Sequence, residues 1–187
     1  MEQQFKTFQS LSDAHKLLAE LGAPERLIRH VKLVGEAAEI LILQFQQLGL
    51  EFDSDWIRLG VAVHDVGKIL HPSELVEKGD RHEAAGERLL IEQGIDPKIA
   101  RCCRSHGQWQ QIACSFEELV VALADCLWKG KRNNELEHKA IMKAAQILDR
   151  DYWEIFINVD NGFEEIAAAG AARLARSTVA IPNDPRT

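Results

Sequence analysis

Cysteine pairs, proline-rich stretches, long apolar runs and excess positive charge are all scarce in this 187-residue sequence. Its four cysteines include the adjacent Cys102 and Cys103, and neither Cys114 nor Cys126 completes a C-x-x-C pair. Zinc-ribbon and thioredoxin-like chemistry therefore lack their spacing, and the cysteines are expected as small buried residues in a reducing compartment. The longest uncharged apolar-rich stretch, Ile40 to Leu50, contains three glutamines and is too short for a membrane span. Met1 to Ser10 is polar and has no apolar signal-peptide core, so a cytoplasmic protein without a membrane partner is expected. Lys plus Arg number 22 against 29 Asp plus Glu, and a net charge of −7 argues against a broad DNA-binding surface. With five prolines and no Ser/Gly-rich tract, nothing divides the chain, and its length suffices to bury a core without disulfides or a structural metal. Any metal would need a functional reason.

Helical periodicity runs through nearly the whole sequence, whereas sustained alternation bounded by hairpin turns is absent. The expected fold is all-α, a helical bundle forming a single domain over 1–187. The clearest helix runs from about Pro24 to Leu48, with Leu27, Val31, Val34, Ala38, Leu41, Phe45 and Leu48 on one stripe before Gly49. Ser54 can cap a second, running through Trp56, Ile57, Val61 and Val63 to near His71-Pro72. Asp80 with Glu83 resembles a capping box for a third that ends at Gly94, and Asp96-Pro97 opens a fourth reaching about His106. Ser115 with Glu118 starts a fifth, to about Trp128; Asn133 to Leu148 and Asp151 to Arg176 are two more, before a frayed tail over 177–187.

Polar residues on the apolar stripes need an explanation. The run Leu59-Gly-Val-Ala-Val63 delivers His64 and Asp65 at the end of the most apolar helix. His82 shares a stripe with Ala85 and Leu89, His106 with Ile99 and Cys103, and Asp125 with Val121 and Trp128; His30 lies three residues after Leu27. A lone helical histidine is usually a hydrogen-bonded core residue, and a buried aspartate is usually paired, here with Arg26, Arg29 or Arg104 as candidates. Four histidines and two aspartates together offer enough nitrogen and oxygen ligands for one or two divalent ions. His15, His71 and His138 join no such group.

The order of these residues, His30, then His64-Asp65 inside the string HDVGK at 64–68, then His82, His106 and Asp125, resembles the HD-domain phosphohydrolase superfamily over about Arg29 to Lys129. RHEAAGERLL resembles the two-metal branch, in which a histidine opening a helix is followed four residues later by glycine. The motif core then spans about 26–129, with C-terminal helices over 133–176. The resemblance implies one metal held by His30, His64, Asp65 and Asp125, with Asp65 bridging to a second held by His82 and His106. Iron or manganese comes first as the cofactor, with Zn, Co, Ni or Mg as other occupants. The implied activity is hydrolysis of a phosphate ester or anhydride through a metal-bridged hydroxide, with Asp65 and Lys68 as catalytic residues.

The implied partner is a small phosphorylated molecule, a nucleotide, with diadenosine polyphosphates a closer match than cyclic-di-GMP. Ser105 stands where cyclic-di-GMP phosphodiesterases of this group have a second histidine, and no Gly-Tyr-Pro follows. Lys68, Lys129, Lys131 and Arg132 are candidate phosphate contacts, and Gly67 would admit a close neighbour. Two other readings share the ligand set: a mixed-valent di-iron oxygenase on an HD-type fold, and a non-catalytic nucleotide-sensing module. Oligomeric state stays open.

Overall fold

Buried backbone polar groups must find partners, and along this chain helices supply them. The computed structural model describes Phe5, Phe8 and residues 10–178, and among these it contains helices and short 3-10 turns but no strand. The all-α expectation is met. Most of Met1–Ser10 and the tail beyond Thr178 lie outside the described residues.

Helix α1 (Leu11–Glu20), which the periodicity did not single out, buries only Ala14 and Leu18 and starts where the Ser10 hydroxyl accepts the Asp13 N–H at 3.2 Å. Helix α2 (Glu25–Gln47) buries the expected stripe from Leu27 to Phe45 and ends before Gly49, whose φ of 81° suits a residue without Cβ. The next helix is shorter than expected. Helix α3 (Ser54–Val63) is capped by Asp53, which accepts the Trp56 N–H at 2.9 Å, and it stops at Val63 instead of continuing to His71. Two 3-10 turns, 66–69 and 72–75, carry the chain onward. The break leaves helix carbonyls without partners, and side chains meet them. The His64 ring donates from Nδ1 to the Val61 carbonyl at 2.8 Å, and the Cys103 thiol donates to the Val63 carbonyl at 3.3 Å.

Helix α4 (Arg81–Glu92) forms without the expected capping box, because Asp80 makes no side-chain cap bond and Glu83 instead accepts from the Gln108 amide at 2.8 Å. Glu74, from the preceding turn, takes the Arg81 and His82 N–H groups at 3.3 and 3.1 Å. The expected fourth helix divides at Arg101 into α5 (Pro97–Ala100) and α6 (Cys102–Gln108), where the Arg101 guanidinium reaches Glu118 and the Ala113 carbonyl. Helix α7 (Phe116–Leu127) has the expected Ser115–Glu118 capping box, and α8 (Asn134–Leu148) is capped by Asn133, where the expected helix was to begin. The last expected helix splits at Ala169 into α9 (Tyr152–Ala168) and α10 (Gly170–Thr178), so Ser177 and Thr178 are helical rather than frayed. At that break a Cβ on Gly170 would lie 2.2 Å from the Gly130 nitrogen, so two backbones touch there.

Two apolar clusters hold these helices together. In one, Phe45 meets Phe116 edge-on at 4.9 Å and Phe163 at 6.3 Å; the other gathers Leu18, Leu27, Leu90 and Ile99. Helix α3 serves both, giving Ile57 and Val61 to the first and Leu59, Ala62 and Val63 to the second. Its C-terminal end therefore lands His64 and Asp65 in the interior, at 0% and 1% exposure. Cys102 and Cys103 are buried, Cys114 and Cys126 half-buried, and all four are unpaired. No helix among the described residues is long and apolar enough to cross a membrane.

Gly67 and Gly86 set the approach of α4 to the turn after Asp65. A Cβ on Gly67 would lie 1.9 Å from the His82 carbonyl oxygen and 2.6 Å from the Gly86 nitrogen, whereas one on Gly35 would meet nothing within 4 Å. Gly67→Ala should therefore cost about 3 kcal/mol or more in urea unfolding, as overpacking against backbone does. Gly35→Ala, inside α2, should stabilise by up to about 1 kcal/mol through helix propensity. Equal effects would contradict the close approach.

Candidate metal centre

Five separate pieces of chain deliver the candidate ligands. His30 comes from α2, His64 and Asp65 from the end of α3, His82 from the first turn of α4, His106 from α6 and Asp125 from α7. All six meet. Their ligating atoms form two groups, His30 with His64 and Asp65, and Asp65 with His82 and His106, the atoms of each lying within 4.8 Å of one another. Asp125 joins the first, with Oδ1 3.4 Å from His30 Nε2 and 3.7 Å from His64 Nε2.

The two Asp65 oxygens divide between the groups. Oδ2 lies 2.9 Å from His30 Nε2 and 3.6 Å from His64 Nε2; Oδ1 lies 3.1 Å from His82 Nε2 and 3.6 Å from His106 Nε2. Each imidazole thus presents Nε2 to the carboxylate, and three have Nδ1 engaged elsewhere. His64 Nδ1 donates to Val61 O at 2.8 Å, His106 Nδ1 to Cys102 O at 3.1 Å, and His82 Nδ1 to Glu74 Oε2 at 2.6 Å. Holding the proton on Nδ1 frees Nε2 for a cation. Asp65 Oδ1 and His82 Nε2 are buried without a hydrogen-bond partner even though they face each other, and His30 Nε2 and His64 Nε2 stand 3.3 Å apart. A cation between them would satisfy buried polar atoms left in that state. The nitrogen and carboxylate donors suit borderline divalent ions, so the residues fit one or two of them.

Burial alone would raise the Asp65 carboxyl, but His64, His30 and His82 hold it well below the usual carboxylate range. Burial would likewise raise Asp125, yet His64 and Lys129 hold it low. Burial would lower His64, but the charges of Asp65 and Asp125 raise it; His82, also disfavoured by burial, is raised by Asp65 and Glu74. His106 goes the other way, pushed down to about 4 by burial and by the neighbouring His64 charge. Below their raised folded values, protons on His64 and His82 would thus offset the two carboxylates in the absence of metal.

The candidate phosphate contacts part company. Lys68 Nζ donates to Asp65 Oδ2 at 2.5 Å, and Lys129 Nζ lies 3.7 Å from Asp125 Oδ2, so both border the cluster. Arg132 turns away from it. Its guanidinium meets Glu137 at 2.7 Å, Asp160 at 2.5 Å and Glu164 at 3.1 Å, a carboxylate network joining α8 to α9. Those three partners occupy the guanidinium, so Arg132 is not among the residues gathered at the cluster. Lys131 is exposed on the same turn. Arg104, one candidate partner for Asp125, pairs with Glu87 instead. Two residues that helical spacing did not mark as functional sit against the ligands. Glu74 holds His82, and Trp128 donates from Nε1 to Asp125 Oδ1 at 3.2 Å with its ring 4.9 Å from that of His30. Trp128 was legible as a stripe neighbour of Asp125, whereas Glu74 lies in a turn with no periodicity.

Residues 27–151 match the model of the HD domain. The chain belongs to the HD domain family. The match covers every candidate ligand, and this family is generally one of metal-dependent hydrolases. The HD protein is also 29% identical over 128 residues to "Uncharacterized protein MJ0778" of Methanocaldococcus jannaschii, an alignment covering 60% of this chain and 72% of that one. No solved structure matches it.

A metal held by these residues would compete with protons for His64 and His82, so stability should respond to pH with opposite signs in its absence and presence. In the metal-free HD protein the raised histidines contribute stability that is full below their ordinary value of 6.5 and lost as pH rises through their folded values. Its Tm should therefore fall as pH rises from 6.5. With Mn2+ at about 100 times its Kd, adding about 2.7 kcal/mol, Tm should rise over the same interval because proton competition weakens. Calorimetry at several pH values checks both slopes.

Proposed function

We propose that this HD protein is a metal-dependent phosphohydrolase cleaving a phosphate ester or anhydride, with nucleotides, diadenosine polyphosphates among them, as the substrate class. The observation that carries this reading is the division of the Asp65 oxygens between two histidine pairs, supported by family membership. On this reading the whole chain, 1–187, acts as one HD-type unit with its motif core over about 26–129. His30, His64, Asp65 and Asp125 hold one divalent ion, and Asp65, His82 and His106 a second, iron or manganese ahead of other metals. When bound, such ions lower the pKa of water and polarise phosphoryl oxygens.

The chain's own residues do the rest. Asp65, fixed by burial on both sides, sets the separation of the two positions. Lys68, beside Asp65, and Lys129, beside Asp125, supply positive charge from two sides of the cluster and offset charge developing on a phosphoryl group. Trp128 holds Asp125 by its indole N–H and walls the His30 side with its ring, which limits water there.

Anaerobically purified protein loaded with Mn2+ or Fe2+ should release phosphate or nucleotide from at least one member of a panel of nucleotides, dinucleoside polyphosphates and simple phosphate esters. Asp65→Ala should abolish metal-dependent turnover, while Lys68→Ala should keep the metal and lose about 10²–10³ in kcat. Lys129→Ala should raise KM, and Arg132→Ala should leave KM unchanged while lowering Tm. Two bound irons with oxygen consumption and no hydrolysis would overturn the phosphohydrolase reading. Nucleotide binding without turnover under every metal would instead mark a sensing module.

A further inference from the structure

The two proposed metal positions are unequally provided with charge. Beside the shared Asp65, the first has the Asp125 carboxylate against His30 and His64, while the second has only the imidazole rings of His82 and His106. A dication there would lack a second carboxylate, and Glu74 stands directly behind one of those rings. Glu74 is 8% exposed, and its Oε2 takes both the backbone N–H of His82, at 3.1 Å, and the Nδ1 of the ring, at 2.6 Å. The other rings with an engaged Nδ1, His64 and His106, lean on neutral backbone carbonyls. His82 alone among these three has a charged partner.

The site is built to hold this carboxylate. A Cβ on Gly79 would lie 2.5 Å from Glu74 Cδ and Oε1, so only glycine leaves room for it at that place in the turn. Glu74 also caps α4 in place of Asp80, which is a structural role sufficient to explain its two backbone bonds. It does not explain the bond to the ring. A carboxylate on Nδ1–H fixes the tautomer, aims Nε2 and makes the ring a stronger donor to a cation.

We propose that Glu74 is a positioning residue that holds His82 as its Nδ1–H tautomer and thereby sets the affinity of the second metal position. This rests on the two-metal reading above. Glu83 provides the comparison, since it is buried next to His82 in sequence but its carboxylate accepts from Gln108 and fills the space a Cβ on Gly107 would take, rather than meeting the ring.

The test titrates metal-free protein with Mn2+ by calorimetry, for the wild type, Glu74→Gln and Glu83→Gln, and records long-range 1H–15N spectra of the histidines at alkaline pH. Two sites are expected in the wild type. Glu74→Gln, which keeps an acceptor oxygen for the helix N–H groups, should weaken only the second, by roughly 10- to 100-fold. Glu83→Gln should change it far less. Wild-type His82 should appear as the Nδ1–H tautomer, a readout that needs neither metal nor a folded variant, and Glu74→Gln should erode that preference.

Unchanged second-site affinity in Glu74→Gln, equal weakening by Glu83→Gln, or an Nε2–H tautomer in the wild type would each overturn the proposal. A single Mn2+ site in the wild type would overturn the two-metal reading itself, and with it the role of Glu74 in occupancy.

Discussion

A carboxylate at the end of an apolar helix is the constraint around which this protein is organised. Asp65 is 1% exposed, and an ionised group so buried persists only where compensating charge and hydrogen-bond donors surround it. His30, His64, His82, His106 and Lys68 all come within 3.6 Å of it, brought by α2, α3, α4, α6 and the turn after α3. Helices bearing apolar stripes alone could pack in many ways. Five segments that must each present a nitrogen to the same two oxygens have far fewer choices, and close backbone approaches such as Gly67 to α4 are what allow them to meet.

The same constraint explains why the helix ends where it does. Backbone angles of φ −104° and ψ 9° at Asp65 turn the chain out of the line of α3 into the segment whose Gly67 packs on α4 and whose Lys68 reaches Asp65 Oδ2. The carbonyls freed by the break are taken by His64 and by the Cys103 thiol. A candidate ligand and a buried cysteine thus double as helix terminators. The basic cluster after α7 shows similar economy: Lys129, four residues beyond Asp125, stays beside the site, while the turn at Gly130, with φ 81°, sends Arg132 into the network that ties α8 to α9.

Much of the candidate site was legible in the sequence. All six stood out because polar residues interrupt or border apolar helical stripes, and the family resemblance added how they would divide between two ions. Glu74 was not legible, since its function depends on a contact across eight residues of irregular chain, where no period marks a face. Asp80 with Glu83 looked like a cap for α4 by local spacing, but a carboxylate arriving from the previous turn occupies that place. Arg132 looked like a phosphate contact because its neighbours are basic, and its actual partners are Glu137, five residues on, with Asp160 and Glu164, 28 and 32 residues later.

The amino-acid order by itself therefore determined the helical class, the long stripe of α2, the caps at Ser115 and Asn133, and the set of polar residues that had to be explained inside a core. These follow from interactions within a few residues and from the cost of burying charge. Tertiary structure alone decided where α3 stops, which Asp65 oxygen faces which histidines, that Glu74 stands behind His82, and that Arg132 points elsewhere. Each of those depends on the distance between segments remote in the chain, which side-chain packing and backbone approach set and local spacing does not encode.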